Sequence, residues 1–86
     1  MPITQQPTAL DWSGCPLVQR EPGKLGGAPN IDGMRIKPEA ILDNYESGFG
    51  VAEIANEIFP GVTQEQIETI LRYARDKGYL ERPFAA

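Results

Sequence analysis

The sequence predicts a single, mostly α-helical domain in which three helices follow a short β-hairpin. Two stretches carry apolar residues at positions i, i+3, i+4 and i+7, the spacing of one helical face. They are Val51, Ile54, Ala55 and Ile58 in the first stretch, and Ile67, Ile70, Leu71 and Ala74 in the second. Between them lies Pro60, which cannot donate the next helical hydrogen bond. Two amphipathic helices joined so closely must cross to bury both faces, so we expect a trihelical helix-turn-helix bundle of the homeodomain or winged-helix kind.

The first 38 residues predict strands and turns, because six of the eight prolines fall there. Asp32-Gly33 stands between the short apolar runs 28–31 and 34–36, and an Asp-Gly pair in this setting is a strong hairpin signal. Residues 16–20 predict a further extended segment. We divide the chain into a flexible lead-in (1–9), one domain (10–80) with a β-ribbon (10–37) and three helices (38–78), and a trailing tail (81–86).

Local signals set the ends of the first two helices. Pro38 suits the first turn of helix one, which we expect at 38–47 with Gly48 as its left-handed cap. Phe49-Gly50 then turns the chain into helix two, predicted at 51–59.

Helix three has the clearest boundaries. Thr63 and Gln66 form a Thr-x-x-Gln capping box at its start. Gly78 ends it, and Tyr79 is placed to fold back in a Schellman motif. We expect Tyr79 and Leu80 to close the core.

The composition argues against several classes of function. Eighty-six residues make one domain at most, and a chain this small gains from a partner that adds buried surface. No apolar run approaches the ~20 residues that cross a bilayer, so we predict a cytoplasmic protein without a membrane anchor. The chain lacks histidine, the commonest general base, and has a single cysteine. We predict no catalysis, no metal and no cofactor, with Trp12 and Cys15 as core residues.

The net charge of −4 conceals a segregation of charge along the chain. Residues 39–68 hold seven acidic side chains and no Lys or Arg. The basic residues lie on either side of this block, and DNA affinity comes mainly from neutralised phosphates. The candidate nucleic-acid-binding residues are Arg20, Lys24, Arg35, Lys37, Gln64, Gln66, Arg72 and Arg75.

The acidic block supports a second hypothesis, a protein-interaction module that grips a basic partner and binds no DNA. Its candidate residues are Glu39, Asp43, Glu46, Glu53 and Glu57. Because Glu65 and Glu68 stand among the glutamines at the start of helix three, charge alone leaves both hypotheses open.

A pattern that begins in the hairpin region resembles a known bacterial family, the domain-of-unknown-function family 433. Its elements in order are Gly27-x-Pro29-x-Ile31-x-Gly33-x-Arg35-Ile36, Gly48, Glu53-Ile54-Ala55, Phe59-Pro60, Thr63, Glu65-x-Ile67 and Tyr73-Ala74. The match covers a little over half of the chain and is specific in spacing. The chain departs from the family pattern at Ala28, Asn30 and Met34, and in its longer lead-in.

The resemblance implies a helix-turn-helix fold with a short β segment, usually in a homodimer. Members are often paired with a nuclease toxin of the PIN type and are then regarded as antitoxin-like. We therefore predict a small dimeric DNA-binding transcriptional regulator of a toxin–antitoxin-type operon, with a PIN-type toxin or another basic protein as a further partner. A homodimer would also cover the exposed edges of short strands.

Arg35, the hairpin arginine of the family pattern, has two interpretations. It contacts a DNA phosphate, or it has an internal partner such as a helix-end carbonyl, Asp43 or Glu46.

Overall fold

The structure is a computed structural model that describes residues 10–20, 29–31 and 33–84. In this part of the chain, three helices and one two-stranded antiparallel sheet share a core. The prediction of a mostly α fold with a short N-terminal β element is confirmed. The elements in order are a 3₁₀ turn (Trp12–Gly14), β1 (Val18–Gln19), β2 (Asn30–Ile31), α1 (Pro38–Glu46), α2 (Val51–Glu53) with a π-helical continuation (Ile54–Ile58), and α3 (Gln64–Asp76).

The sheet joins two segments that the sequence analysis had not paired. β1 and β2 run antiparallel, with Val18 opposite Ile31. The predicted pairing of 28–31 with 34–36 is wrong as a sheet, because 34–36 is not a strand. It is reduced to the bond that the Ile31 N–H donates to the Ile36 carbonyl at 2.9 Å and to the turn bond described next. The partner is instead the extended segment predicted at 16–20.

The tight turn after β2 is present, although it does not lead into a strand. The Met34 N–H donates to the Ile31 carbonyl at 2.8 Å, and Gly33 has φ +75°. Asp32 lies outside the described residues. The fully buried Asn30 donates its Nδ2 to the Met34 carbonyl at 2.9 Å. This side-chain bond occupies the Met34 carbonyl, which a strand ladder would otherwise use.

α1 and α3 begin and end close to the predicted positions. α1 starts with Pro38 in its first turn and is followed by Gly48 at φ +112°. At the start of α3, Thr63 Oγ1 accepts from the Gln66 N–H at 3.1 Å, and Gln66 Oε1 accepts from the Thr63 N–H at 2.9 Å. The predicted capping box is confirmed.

The predicted Schellman motif at the end of α3 is also confirmed. The Tyr79 N–H donates to the Ala74 carbonyl at 2.8 Å, and the Gly78 N–H donates to Arg75 at 3.0 Å. Gly78 has φ +79°, the left-handed conformation that this motif requires.

The second helix widens before it ends. Its last hydrogen bond runs from the Phe59 N–H to the Ile54 carbonyl at 2.8 Å, five residues back. Phe59 precedes Pro60, and a residue before proline is disfavoured in the α region. Phe59 accordingly takes φ −126° and ψ 71°, and the last turn becomes π-helical.

Replacing Thr63 with alanine is expected to lower the free energy of unfolding by about 1 kcal/mol, because the Gln66 backbone N–H loses its side-chain acceptor. Urea unfolding measures the change. Thr63→Ser keeps the hydroxyl and is the matched control, which we expect to stay close to the parent. Equal stability of the alanine and serine variants would contradict this role.

The core is formed by side chains from every part of the fold. Its buried apolar members are Leu10, Trp12, Cys15, Ile31, Ile41, Leu42, Tyr45, Ile54, Ala55, Val62, Ile67, Ile70, Leu71, Ala74 and Phe84. The predicted burial of Trp12 and Cys15 is confirmed, with 3% and 2% of each residue exposed.

The end of the described chain packs against the helices. Phe84 is buried, and its ring meets the Tyr45 ring edge-on at 5.8 Å between centroids. The expectation that 81–86 trails away is therefore wrong for 81–84. Tyr79, which we expected to close the core, is 41% exposed, and Phe84 is buried in the core instead.

Candidate functional site

Three of the five candidate acidic residues form hydrogen bonds that hold the fold together. Glu39 Oε2 accepts from Trp12 Nε1 at 3.0 Å. Both oxygens of Glu46 accept from backbone N–H groups of the C-terminal segment, at 2.7 and 3.0 Å. Glu53 Oε1 accepts from the Gly50 N–H at 2.9 Å. The acidic block therefore has a structural role that its composition did not indicate.

The two remaining acidic candidates, Asp43 and Glu57, are exposed. Neither side chain forms a hydrogen bond or ion pair with another described residue. They are the acidic candidates that remain open to a partner.

Two of the eight candidate nucleic-acid-binding residues also support the fold. Gln66 Oε1 belongs to the capping box of α3. Arg75 donates Nη1 to the Phe84 carbonyl at 3.0 Å and Nε to Asp76 at 3.1 Å, and its guanidinium lies 5.9 Å from the Phe84 ring centroid. Arg75 therefore fixes the C-terminal segment.

The other candidates of this group lie at or near the surface. Arg20, Arg35, Lys37 and Gln64 are exposed, and Arg72 is half-buried. Lys24 falls outside the described residues.

Of the two interpretations of Arg35, the structure does not support the internal partner. Its side chain forms no hydrogen bond or ion pair with Asp43, Glu46 or any other described residue. Both oxygens of Glu46 are already occupied by backbone N–H groups. Arg35 is thus an exposed cation.

A stacked aromatic pair joins the front of the chain to α3. The rings of Trp12 and Tyr73 lie 5.4 Å apart with an interplanar angle of 24°. The Tyr73 hydroxyl donates to the Asp11 carbonyl at 2.6 Å. The pair therefore fixes the 3₁₀ turn against the second half of α3.

One cation lies on this aromatic pair, and two others line cavities to which its rings contribute. Arg20 and Trp12 line one side of a cavity of about 350 Å³. Lys77 Nζ lies 5.5 Å from the Tyr73 ring centroid, and Arg72 and Tyr73 line a second cavity of about 190 Å³. We call Arg20, Arg72 and Lys77 the basic cluster.

Asp11 lies close enough to the basic cluster for its ionisation to respond to it. The main cause of its lowered pKa is the hydrogen bond from the Ser13 backbone N–H, followed by a bond to the Ser13 side chain. The positive charges of Lys77 and Arg20 lower the pKa further. The other nearby carboxylate, Asp76, accepts from Arg75. Asp76 is thus paired with Arg75, whereas Asp11 is a negative charge that acts on Lys77 and Arg20.

The sequence analysis missed Lys77 and Arg82. Lys77 Nζ lies 5.5 Å from the Tyr73 ring centroid, a contact that its position near the end of helix three did not indicate. Arg82 was placed in the tail, yet its Nη1 donates to the Tyr45 and Phe49 carbonyls at 2.7 and 2.8 Å. Both contacts depend on the tertiary fold, and the only local signal was the basic character of residues 72–82.

The described part of the chain contains neither a metal-binding cluster nor a membrane-spanning helix. No group of three His, Cys, Asp or Glu side chains there is placed to hold a metal ion. None of the helices described has the length and apolarity to span a membrane.

Comparison with known proteins identifies one family. Neither the curated proteins nor the solved structures contain a match to this chain. The family described as "Protein of unknown function (DUF433)" matches residues 18–74. This match runs from β1 to the last buried residue of α3 and covers about two thirds of the sequence. The chain therefore belongs to the DUF433 family.

Proposed function

We propose that the protein is a small, dimeric DNA-binding regulator of the antitoxin type that contacts DNA phosphates through the basic cluster. The observation that carries the proposal is the placement of Arg20, Arg72 and Lys77 around the Trp12–Tyr73 pair. Phosphate contacts of this kind supply most of the sequence-independent affinity of DNA-binding proteins.

The fold supports the proposal because it keeps these cations available. None of the three forms an ion pair with another described residue. Of the two carboxylates beside them, Asp76 pairs with Arg75, and Asp11 keeps its negative charge. Arg35 and Lys37 add two exposed cations that precede α1.

Within a helix-turn-helix, the first residues of the last helix usually read base edges. Here Gln64 is exposed at that position, beside the exposed Glu65. A glutamine amide reads adenine through two hydrogen bonds, whereas a glutamate repels phosphates. We infer that α3 contributes sequence preference through Gln64, while the basic cluster supplies affinity.

A homodimer would double the set of cations presented to DNA. This part of the proposal rests on the small core of a single chain and not on free strand edges, because the Ile31 N–H and carbonyl already bond to Ile36 and Met34. Light scattering should then give about twice the chain mass of 9.5 kDa. A mass of one chain at micromolar concentration would remove this part of the proposal.

The test is fluorescence anisotropy with a labelled duplex from the region upstream of the protein's own operon, titrated at several salt concentrations. Replacing Arg20, Arg72 and Lys77 together with glutamine should weaken binding at low salt by at least about 30-fold. It should also reduce the slope of log K against log salt by roughly 2–3 units, since each phosphate contact contributes about 0.9.

Gln64→Ala is the matched control, because it removes an exposed polar group of the same fold without changing its charge. It should alter the preference for the upstream duplex over random DNA and leave the salt slope unchanged. Absence of binding at micromolar protein, or a flat salt response of the parent, would contradict the proposal.

The antitoxin part has a separate test. A PIN-type nuclease encoded beside the gene, whose toxicity is suppressed by co-expression of this protein, would support it. A neighbouring gene of another kind would contradict the antitoxin part of the proposal and leave the DNA-binding part standing.

A further inference from the structure

We infer that Phe49 and Tyr79 form a docking surface for a protein segment that carries an apolar side chain flanked by Lys or Arg. We call these two residues the aromatic patch. They are the exposed large hydrophobic residues of the described chain, at 42% and 41% exposure. The inference does not depend on DNA binding, since neither residue belongs to the basic cluster.

Contacts of the C-terminal segment bring the two aromatic residues to one end of α1. Arg82 Nη1 donates to the Phe49 carbonyl at 2.8 Å. The Glu81 N–H donates to Glu46 Oε2, in the last residue of α1, at 2.7 Å. Tyr79 lies two residues before Glu81, so it reaches the same end of the helix as Phe49.

The backbone fixes both residues in place. The Phe49 N–H donates to the Asn44 carbonyl at 3.2 Å, and the Tyr79 N–H donates to Ala74 at 2.8 Å in the Schellman motif. Exposed aromatic side chains on a fixed backbone lose little conformational freedom on binding, which favours their use as anchors.

The charges around the aromatic patch select the partner. Glu46 and Glu53 accept hydrogen bonds from uncharged backbone N–H groups, which leave their negative charge in place, and Glu81 is exposed. The neighbouring Arg82 donates to two uncharged carbonyl groups and so keeps its positive charge, but the three carboxylates outnumber it. The rim is therefore acidic and complements a basic segment.

A second copy of the chain fits this surface poorly. A symmetric contact through the aromatic patch would place the same acidic rims against each other, and like charges at an interface oppose association. In a segment with an apolar side chain and basic neighbours, the apolar side chain would pack on Phe49 and Tyr79, and the basic residues would complement the surrounding carboxylates.

The test places a benzophenone side chain at position 49 or 79 of the full chain, in cells of the source organism, with position 64 as the control site. Cross-linked proteins are identified by mass spectrometry, purified, and measured for affinity by calorimetry. We expect a protein cross-linked through a Lys- or Arg-flanked apolar segment at 49 and 79 but not at 64. The double variant Phe49→Ser/Tyr79→Ser should lower its affinity by at least about tenfold.

Cross-links from 49 or 79 to a second copy, to nucleic acid or to an acidic segment would overturn the inference. So would cross-linking no stronger than at position 64, or an affinity unchanged in the double variant. The same double variant should keep a cooperative thermal unfolding transition and bind the upstream duplex as well as the parent does. Loss of DNA binding in that variant would instead show that the aromatic patch belongs to the DNA surface.

Discussion

Replacing Trp12 with alanine is expected to lower the free energy of unfolding by about 3–5 kcal/mol, the largest effect among our predictions. Trp12 is 3% exposed, stacks on Tyr73, and donates its Nε1–H to Glu39 at 3.0 Å. The substitution removes the stacked ring, leaves a cavity and deprives Glu39 of its donor. Domains of this size have a total stability of roughly 5–15 kcal/mol, so the substitution should remove a large share of it.

Urea unfolding followed by circular dichroism gives the change, since the substitution removes the only tryptophan and its fluorescence. Trp12→Phe is the matched control, because it keeps a ring against Tyr73 and lacks only the N–H donor and part of the volume. It should recover more than half of the lost stability. A Trp12→Ala variant as stable as the parent would contradict the packing described for the front of the chain.

Replacing Phe84 with alanine is expected to lower the free energy of unfolding by about 3 kcal/mol. The ring is buried against Tyr45 and beneath the Arg75 guanidinium, and the Phe84 carbonyl accepts from Arg75. Removing it should also release the C-terminal segment, so amide exchange should accelerate at residues 81–84 and at the end of α1.

Phe49→Ala is the matched control for Phe84→Ala, since it makes the same chemical change at a residue that is 42% exposed. This control substitution should lower the free energy of unfolding by about 1 kcal/mol or less. Equal effects of the two substitutions would show that the C-terminal segment does not pack as described.

Trp12 and Phe84 both lie outside the region that matches the family, which runs from residue 18 to residue 74. Trp12 fixes the front of the chain on α3, and Phe84 fixes the segment after α3 on α1. Part of the core that the matched region shares is therefore supplied by the segments before residue 18 and after residue 74.

The parts of the fold that could be predicted from the sequence depend on neighbours within a few residues. Pro38, the Thr63–Gln66 capping box and Gly78 act within single turns, so the bounds of α1 and α3 followed from them. The apolar spacing at 67–74 likewise predicted the residues of α3 that are fully buried.

The parts that could not be predicted depend on distant neighbours. The strand partners of Asn30 and Ile31 lie 11 and 13 residues away, and the buried Asn30 amide takes the Met34 carbonyl. Glu39 and Glu46 bind groups 27 to 36 residues away, so their structural roles left no local pattern. Lys77 was absent from the candidate residues for the same reason, since it lies far in sequence from Arg20, another member of the basic cluster.

An NMR titration of the isotopically labelled protein with the upstream duplex tests the central claim most directly. The account predicts that the largest side-chain shifts occur at the Arg20 and Arg72 guanidinium groups and at Lys77 Nζ, with a smaller response at the Gln64 amide. Shifts confined to the first turn of α3, or no shift at any of these cations, would contradict it.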